Sequence, residues 1–472
     1  MRFSLDKLSG LIKGLEPAEL TLFRNLLSVK NNSTDEKILK LFNGLVEEVR
    51  KEENLPDKKT QFKKVFKEEK YNDQKFRYLK SDLVSRLEAF IAKRGFEKDD
   101  QLYNQILMKE LASRKAVKSY NSHRLNFEIE RKNPQKKDVA YYQHSYESEF
   151  IHLAKATAEM KREEKSNIGE VVEDLDKFYL ARKLQLCCEI FNVRNVLAVE
   201  HKVFLLDEIL SHLKNKSYAD VSVITIYYRI LMTLIESEKE NHFHKLRELL
   251  IENEKDFTLV ELREMYQYVL NYCIKKINLG NISWQKTLFE IYKITIENKV
   301  LMSEGHLSHW DYKNIVTISL RQKEYDWCKS FIETNKKQLL SAERENAHVF
   351  NLANLYFNIG EYSRSLKLLQ QVEFSDVYYQ LDSKSILLKT YFELDETESF
   401  IYHATAFRTF LKRNKLISDY QRTIYLNLIR YTSQLMRADG NKKKMEIIRK
   451  KVEENRNVAD LQWLLGKFKV IS

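Results

Sequence analysis

The chain has 472 residues, of which 43% are hydrophobic and 12% aromatic, enough for a large buried core and incompatible with an intrinsically disordered chain. Only 10 glycines and 3 prolines occur, against average usage of about 7% and 5%, which excludes a fold of many strands joined by tight turns and points to long helices. Lysine and arginine exceed the acids by 12, but acids and bases are interleaved, so most of the charge reads as solvated helix faces rather than a basic tail.

The first stretch, MRFSLDKLSGLIKGL, places Asp6, Lys7 and Lys13 where an export signal needs an apolar core. Helices are predicted over Leu5–Leu15, from Pro17 to Val29 and from Ser33 or Thr34 to Glu53, with Pro17 in a first turn where proline is tolerated. A short helix at Thr60–Glu68, a cap at Asn72-Asp73 and a long helix Gln74–Lys93 follow, with Gly95 as the stop. Up to this point the chain holds 21 basic against 15 acidic residues, half of the total excess, and residues 1–95 are read as a basic all-helical N-terminal domain. The outline of the two helices, with Lys75, Arg77 and Lys80 opening the second, is that of a helix-turn-helix, although the turn is long and acidic (Glu68, Glu69, Asp73).

Asp99–Lys132 reads as a helical pair, with Leu102, Ile106, Leu107 and Leu111 forming one apolar face and Asn133-Pro134 ending it. A charged helix, Asp138–Ser166, carries Tyr141, Tyr142, Tyr146 and Phe150 as its apolar stripe. From Glu170 onward, breaks at helix-length spacing are predicted at Asn192, Asn215–Ser217, Glu240-Asn241, Asp256–Thr258, Gly280-Asn281, Gly305, Gly360, Asp395, Ser418-Asp419 and Gly440-Asn441. The apolar run Val221–Ile235 is interrupted by Ser222, Thr225 and Arg229 and is shorter than the ~20 residues that span a bilayer. The cysteines Cys187, Cys188, Cys273 and Cys328 have no CxxC spacing and read as packed, reduced thiols. These features set the expectation of a cytoplasmic chain without a membrane partner.

The most regular stretch is Val349–Val372, VFNLANLYFNIGEYSRSLKLLQQV. Leu352, Leu355, Tyr356 and Ile359 recur at helical spacing before Gly360, and Tyr362, Leu366 and Leu369 do so after it. Ala353 and Ser365 are small where two helices would cross. In these residues the stretch resembles a tetratricopeptide repeat, a helical hairpin of ~34 residues. Neighbouring copies are more degenerate. The Glu-Tyr pair at Glu324-Tyr325 precedes Glu361-Tyr362 by 37 residues, and Tyr391 follows Tyr356 by 35, with Leu388 where a small residue is wanted. The layout also resembles bacterial proteins of uncharacterised function in which a basic helical region precedes a long degenerate array. The resemblance implies an all-α fold: a helical-hairpin repeat (TPR-like) α-solenoid over residues 96–472, elongated and curved, behind the N-terminal domain.

It further implies that the first helix of each hairpin lines a groove. By that register the exposed groove positions are Lys313, Asn314, Phe350, Asn351, Asn354, Phe357, Lys389 and Phe392, a set suited to an extended peptide, with Tyr356 and Leu369 inside. On this register, Lys313→Ala with Asn351→Ala should weaken binding and spare the fold. The carboxylate-binding subset of the family would want other residues at Thr317, Asp382 and Ile386.

Nothing in the sequence equips an enzyme. There is no glycine-rich phosphate loop and no GxSxG, and the close histidine pairs, His242-Phe243-His244 and His306-x-x-His309, lack zinc spacing, with Ser308 or Asp311 better read as a helix cap. No cofactor or metal is expected. The function expected is a non-catalytic scaffold for a protein or peptide partner. The alternative is a nucleic-acid-associated regulator that uses the basic N-terminal domain, with the array serving dimerisation or ligand sensing.

Overall fold

A computed structural model describes residues 7–29, 33–50, 57–67, 69–158, 166–197, 202–216, 218–371, 376–438 and 440–468. Several predicted features, among them Glu68, Ser217 and Val372, lie outside these residues. Among the described residues there are 23 α-helices and one two-stranded hairpin, so the chain is all-α as composition required. It forms two compact units, residues 1–135 with 140–178, and residues 136–139 with 179–472.

The first unit begins with α1 (Lys7–Lys13), α2 (Pro17–Ser28), α3 (Ser33–Arg50), α4 (Lys58–Phe66) and α5 (Asp73–Lys98). Pro17 opens α2 as predicted, whereas α4 starts at Lys58, two residues before the predicted Thr60, because Asp57 caps it by accepting from the backbone of Lys59 and Thr60. Phe23, Phe42, Phe62, Phe76, Leu83 and Leu87 interlock as one core across these helices. Contrary to prediction, Gly95 does not end α5. The helix runs on to Lys98, and the stop comes from Asp99, whose carboxylate caps α6 (Asp100–Ser113) by accepting from Leu102. A mid-helix glycine costs only ~1 kcal/mol, too little to break a helix anchored on both sides.

In α6 the inward face is only in part the predicted one: Leu111 packs against the core around Met108 and Tyr120, and Leu107 is half-buried. Gln105 and Met108 are buried while Leu102 and Ile106 are exposed. α7 (Val117–Lys132), α8 (Val139–Ala158) and the start of α9 (Ile168–Leu197) are tied together by a charged knot. Buried Glu149 accepts from Arg124 at 3.0 Å and from Arg131 at 2.5 Å, and Arg131 continues to Asp174 at 2.9 Å. Burial pushes the Glu149 carboxyl up, but the hydrogen bonds from Arg124 and Asn167 and the two guanidinium charges outweigh it and hold the group below its usual range. The break predicted at Asn192 is absent, because α9 continues through it.

The second unit continues with α10 (Leu206–Asn215), α11 (Ser222–Ile235), α12 (Asn241–Asn253), α13 (Leu259–Asn278) and α14 (Trp284–Glu297). A short hairpin, β1 (Met302–Ser303) and β2 (His306–Leu307), turns through Glu304 and Gly305, both with positive φ; the sequence pattern did not signal it. Four helical pairs follow: α15 (His309–Arg321) with α16 (Tyr325–Asn335), α17 (Ser341–Asn358) with α18 (Tyr362–Leu369), α19 (Val377–Glu393) with α20 (Thr397–Arg413), and α21 (Asp419–Ala438) with α22 (Lys442–Glu454). A last short helix, α23, covers Leu461–Gly466.

Each of the first three pairs closes through the same backbone device. A residue in the left-handed region ends the first helix, and the next amide reaches back five residues: Glu324 N to Ser319 O at 3.0 Å, Glu361 N to Tyr356 O at 2.9 Å and Glu396 N to Tyr391 O at 3.0 Å. The left-handed residues are Lys323, Gly360 and Asp395, with φ of 61°, 85° and 56°. Their spacing, 37 and 35 residues, is that of the Glu-Tyr and Tyr-Tyr recurrences in the sequence. The first helices stand next to one another, α15 against α17, α17 against α19 and α19 against α21. Ala353, Ser365 and Leu369 are buried between α17 and α18 and the following helix, while Tyr356 is half-buried under the Arg364 guanidinium. Ile359, predicted on the apolar face, is exposed, and Phe350 and Phe357 take the interior instead.

These turns set testable stabilities. Gly360→Ala forces an alanine into the left-handed region and should cost ~1–2 kcal/mol, whereas Lys323→Gly or Asp395→Gly relieves that strain and should gain up to ~1 kcal/mol. Leu369→Ala empties a core site and should cost about 2–5 kcal/mol. Thermal and urea unfolding measure all four; a neutral Gly360→Ala would refute the turn assignment.

Candidate functional site

Helices α15, α17 and α19 hold all eight residues of the predicted groove, but not on one open face. Phe350, Asn351, Phe357 and Lys389 are buried, a correction to the expected exposure, and Lys313, Asn314, Asn354 and Phe392 are half-buried. The reason is that α17 and α19 are flanked by neighbours on both sides, so the side predicted to be open packs against the adjoining first helix.

Around Tyr379 the structure gathers Lys313, Phe350 and Asn351. The Tyr379 hydroxyl donates to the His309 carbonyl at 2.7 Å and its ring meets Phe350 edge-on at 5.2 Å. Asn351 is buried and donates to the Ala347 carbonyl at 2.8 Å, while its side-chain oxygen has no hydrogen-bond partner among the described residues. The Lys313 ammonium lies 4.8 Å from the centre of the Tyr379 ring and 5.3 Å from that of Trp310, and it forms an ion pair with Asp382 of α19. The Tyr425 hydroxyl, from α21, donates to the other oxygen of Asp382 at 3.0 Å; burial, with Asp382 and Asp460 nearby, drives this phenol well above its ordinary pKa. The lysine expected to receive a ligand carboxylate already has one, supplied at a position that departs from the clamp pattern.

A second cluster forms around Trp463. Phe392 meets its ring edge-on at 5.7 Å, Phe357 lies beneath the Lys389 ammonium at 4.8 Å, and Lys389 pairs with Asp460 at 2.6 Å. The remaining two residues stand apart. Asn314 faces Tyr292 of α14, and Asn354 accepts from Asn358 one turn along α17 at 3.1 Å.

Sequence reasoning missed the accessible aromatic edge of this face. Trp310, Tyr378 and Tyr420 are exposed, and each is the second residue of its helix, α15, α19 and α21. Trp310 and Tyr378 meet edge-on at 6.2 Å beside Lys313. The signal was present as an aromatic at the same helix-start position in three pairs, but it is visible only once the helix starts are fixed.

The histidine pairs resolve into ordinary contacts. His242 accepts from Arg229 at 3.1 Å and pairs with Glu236 at 2.9 Å, and His244 stacks on Trp284. His309 pairs with Glu343 at 2.5 Å, His306 sits exposed in the hairpin, and Ser308 caps α15 as predicted. Among the described residues no three or more histidine, cysteine or carboxylate side chains converge as a metal site. All four cysteines are free and buried; burial raises their thiol pKa values. No helix among the described residues is long and apolar enough to cross a membrane.

The two helices of the expected helix-turn-helix form as α4 and α5, and Lys75, Arg77 and Lys80 of the second each have a neighbouring partner. Lys75 pairs with Glu69, Arg77 with Asp73 at 2.7 Å and Lys64 with Glu48 at 3.0 Å, while the Lys80 ammonium lies 5.6 Å from the Phe76 ring.

One buried carboxylate is perturbed away from this face. Burial, then the charge of Asp138, pushes Glu261 of α13 up to about 7, against opposing hydrogen bonds from Tyr227 and the Val139 amide. Its folded pKa is raised, so the protonated form favours folding, and stability is gained as pH falls from about 7 toward the unfolded value near 4.5. Glu261→Gln should therefore raise stability at pH 8 by on the order of 3 kcal/mol and change little at pH 4, as measured by urea unfolding at the two pH values. Equal effects at both would contradict the assignment. No protein-family model, curated protein or solved structure matches the chain.

Proposed function

We propose that the chain is a non-catalytic scaffold that binds a protein or peptide partner along the first-helix face of a tetratricopeptide-like array. What carries the reading is the recurrence of one turn geometry at Lys323, Gly360 and Asp395, which aligns α15, α17 and α19 side by side. A repeat of this kind buries its helices against their neighbours and leaves a long surface whose side chains are free to vary. On that surface the rings of Trp310, Tyr378 and Tyr420 offer rigid contact area at low entropic cost, and the Lys313–Asp382 pair offers both a donor and an acceptor. A cytoplasmic setting suits four free thiols.

The test is capture from cells of the native organism, with the full chain as bait and mass spectrometry as readout. Trp310→Ala with Tyr378→Ala should deplete specific partners tenfold or more; the two rings are only 36% and 41% exposed and meet edge-on, so the variant should also lose ~1–3 kcal/mol by urea unfolding, and capture is compared at a temperature where both proteins are fully folded. An identical partner set for wild type and variant would overturn the reading. The same protein should bind duplex DNA only weakly, with affinity collapsing as salt rises. Sequence-selective DNA retention at physiological salt would instead favour a nucleic-acid regulator.

A further inference from the structure

Lys389 poses a problem that Lys313 does not. Both lysines project from first helices, but the acid that pairs with Lys313, Asp382, is itself on a first helix, α19, whereas the only carboxylate paired with Lys389 among the described residues is Asp460, 71 positions further on. Lys389 is buried, and an unpaired buried ammonium costs several kcal/mol. The face of α19 is thus built around a cation that the four helical pairs do not neutralise. The partner arrives from the C-terminal segment.

That segment is seated as a bound peptide would be. Its backbone is held at two points by α21: the Ala459 amide donates to the Ile424 carbonyl at 3.1 Å, and Asn427 donates to the Asn457 carbonyl at 2.9 Å. Asp460 then accepts from Lys389 at 2.6 Å and from the buried Ser385 hydroxyl at 3.3 Å. Three residues on, Trp463 donates to Glu393 at 2.7 Å and sets its ring against Phe392, and the Lys467 ammonium completes the site as an ion pair with Glu393. Leu464 and Phe468 close the edge against the core of α19 to α22. The six residues of α23 are too few for a helix that is stable unaided, so its order depends on this seat.

We infer that residues 457–468 are an internal ligand, and that the seat they occupy on α19 and α21 receives a partner segment of the same chemistry: a carboxylate for Lys389 and Ser385, followed three residues later by an indole or similar ring for Phe392 and Glu393. The partner displaces the C-terminal segment. This rests on the scaffold reading and adds to it the ligand class and a built-in competitor.

The experiment uses the full chain and a fluorescein-labelled peptide with the sequence of residues 456–468, RNVADLQWLLGKF. Asp460→Lys sets two ammonium groups against each other and should release the segment, so that the peptide binds this variant at least tenfold more tightly than wild type. Adding Lys389→Glu restores an ion pair of reversed sense, and the double variant should reject the peptide. A peptide carrying lysine for the aspartate and alanine for the tryptophan should not bind either. Hydrogen exchange of the wild-type chain supplies a readout that needs no variant. The amides of Leu461–Gly466 should exchange at least a hundredfold faster than those of α19, and the peptide should accelerate them further. Exchange of those amides only together with α19, or an Asp460→Lys variant that melts like wild type yet ignores the peptide, would overturn the inference. If that variant fails to fold, Asp460→Asn, which removes the charge alone, should still bind the peptide more tightly than wild type, and failure to do so counts against it equally. Partner capture that depends on Trp310 and Tyr378 but is indifferent to Asp460→Lys would discard the internal ligand and leave the scaffold standing.

Discussion

Three of the four helical pairs of the second unit depend on one backbone constraint, the left-handed residue that ends a helix and lets the following amide bond back to a carbonyl five residues earlier. At Lys323, Gly360 and Asp395 this turn sends the chain back against the helix it has just left, and its repetition brings successive first helices side by side. Packing then selects small residues where the helices cross, as at Ala353 and Ser365, and large ones beside them, as at Leu369. Only one of the three turns uses glycine. The other two accept strain in an L-residue, which tertiary burial of the flanking helices outweighs.

The same packing explains how much of the molecule could be read from its sequence. Helix content, the first-turn place of Pro17, the capping roles of Asn72 and Ser308, and the break at Gly360 are local properties, set by residues within one turn of each other, and local patterns carry them. The uninterrupted runs through Gly95 and Asn192 were not legible, because a residue of modest helix propensity breaks a helix only when nothing else holds it. Nor was the turn at Asp395 recognisable as the counterpart of Gly360 from composition alone, though its position was.

The candidate site was legible in outline and misread in exposure. Periodicity identifies which residues share a helix face, but it does not say whether another helix covers that face. Phe350, Asn351 and Phe357 were therefore placed at a surface that α19 and its neighbours occupy. The ion pairs were beyond reach for a different reason. Asp382 and Asp460 lie 69 and 71 residues from the lysines they neutralise, and nothing in a single sequence signals such a pairing. Once in place, these pairs change the chemistry of the face: each lysine becomes part of a matched donor and acceptor rather than a free positive charge, which favours a ligand that exchanges with an internal partner over one that simply adds a carboxylate.

The central claim is that the first-helix face is where a partner docks. The most direct measurement is a crystal structure of the full chain bound to a partner segment identified by capture. The account predicts that segment lying across α15, α19 and α21, in contact with Trp310 or Tyr378. A partner seated on the second helices of the pairs, α16, α18, α20 and α22, or on the bundle of α1 to α5, would contradict it.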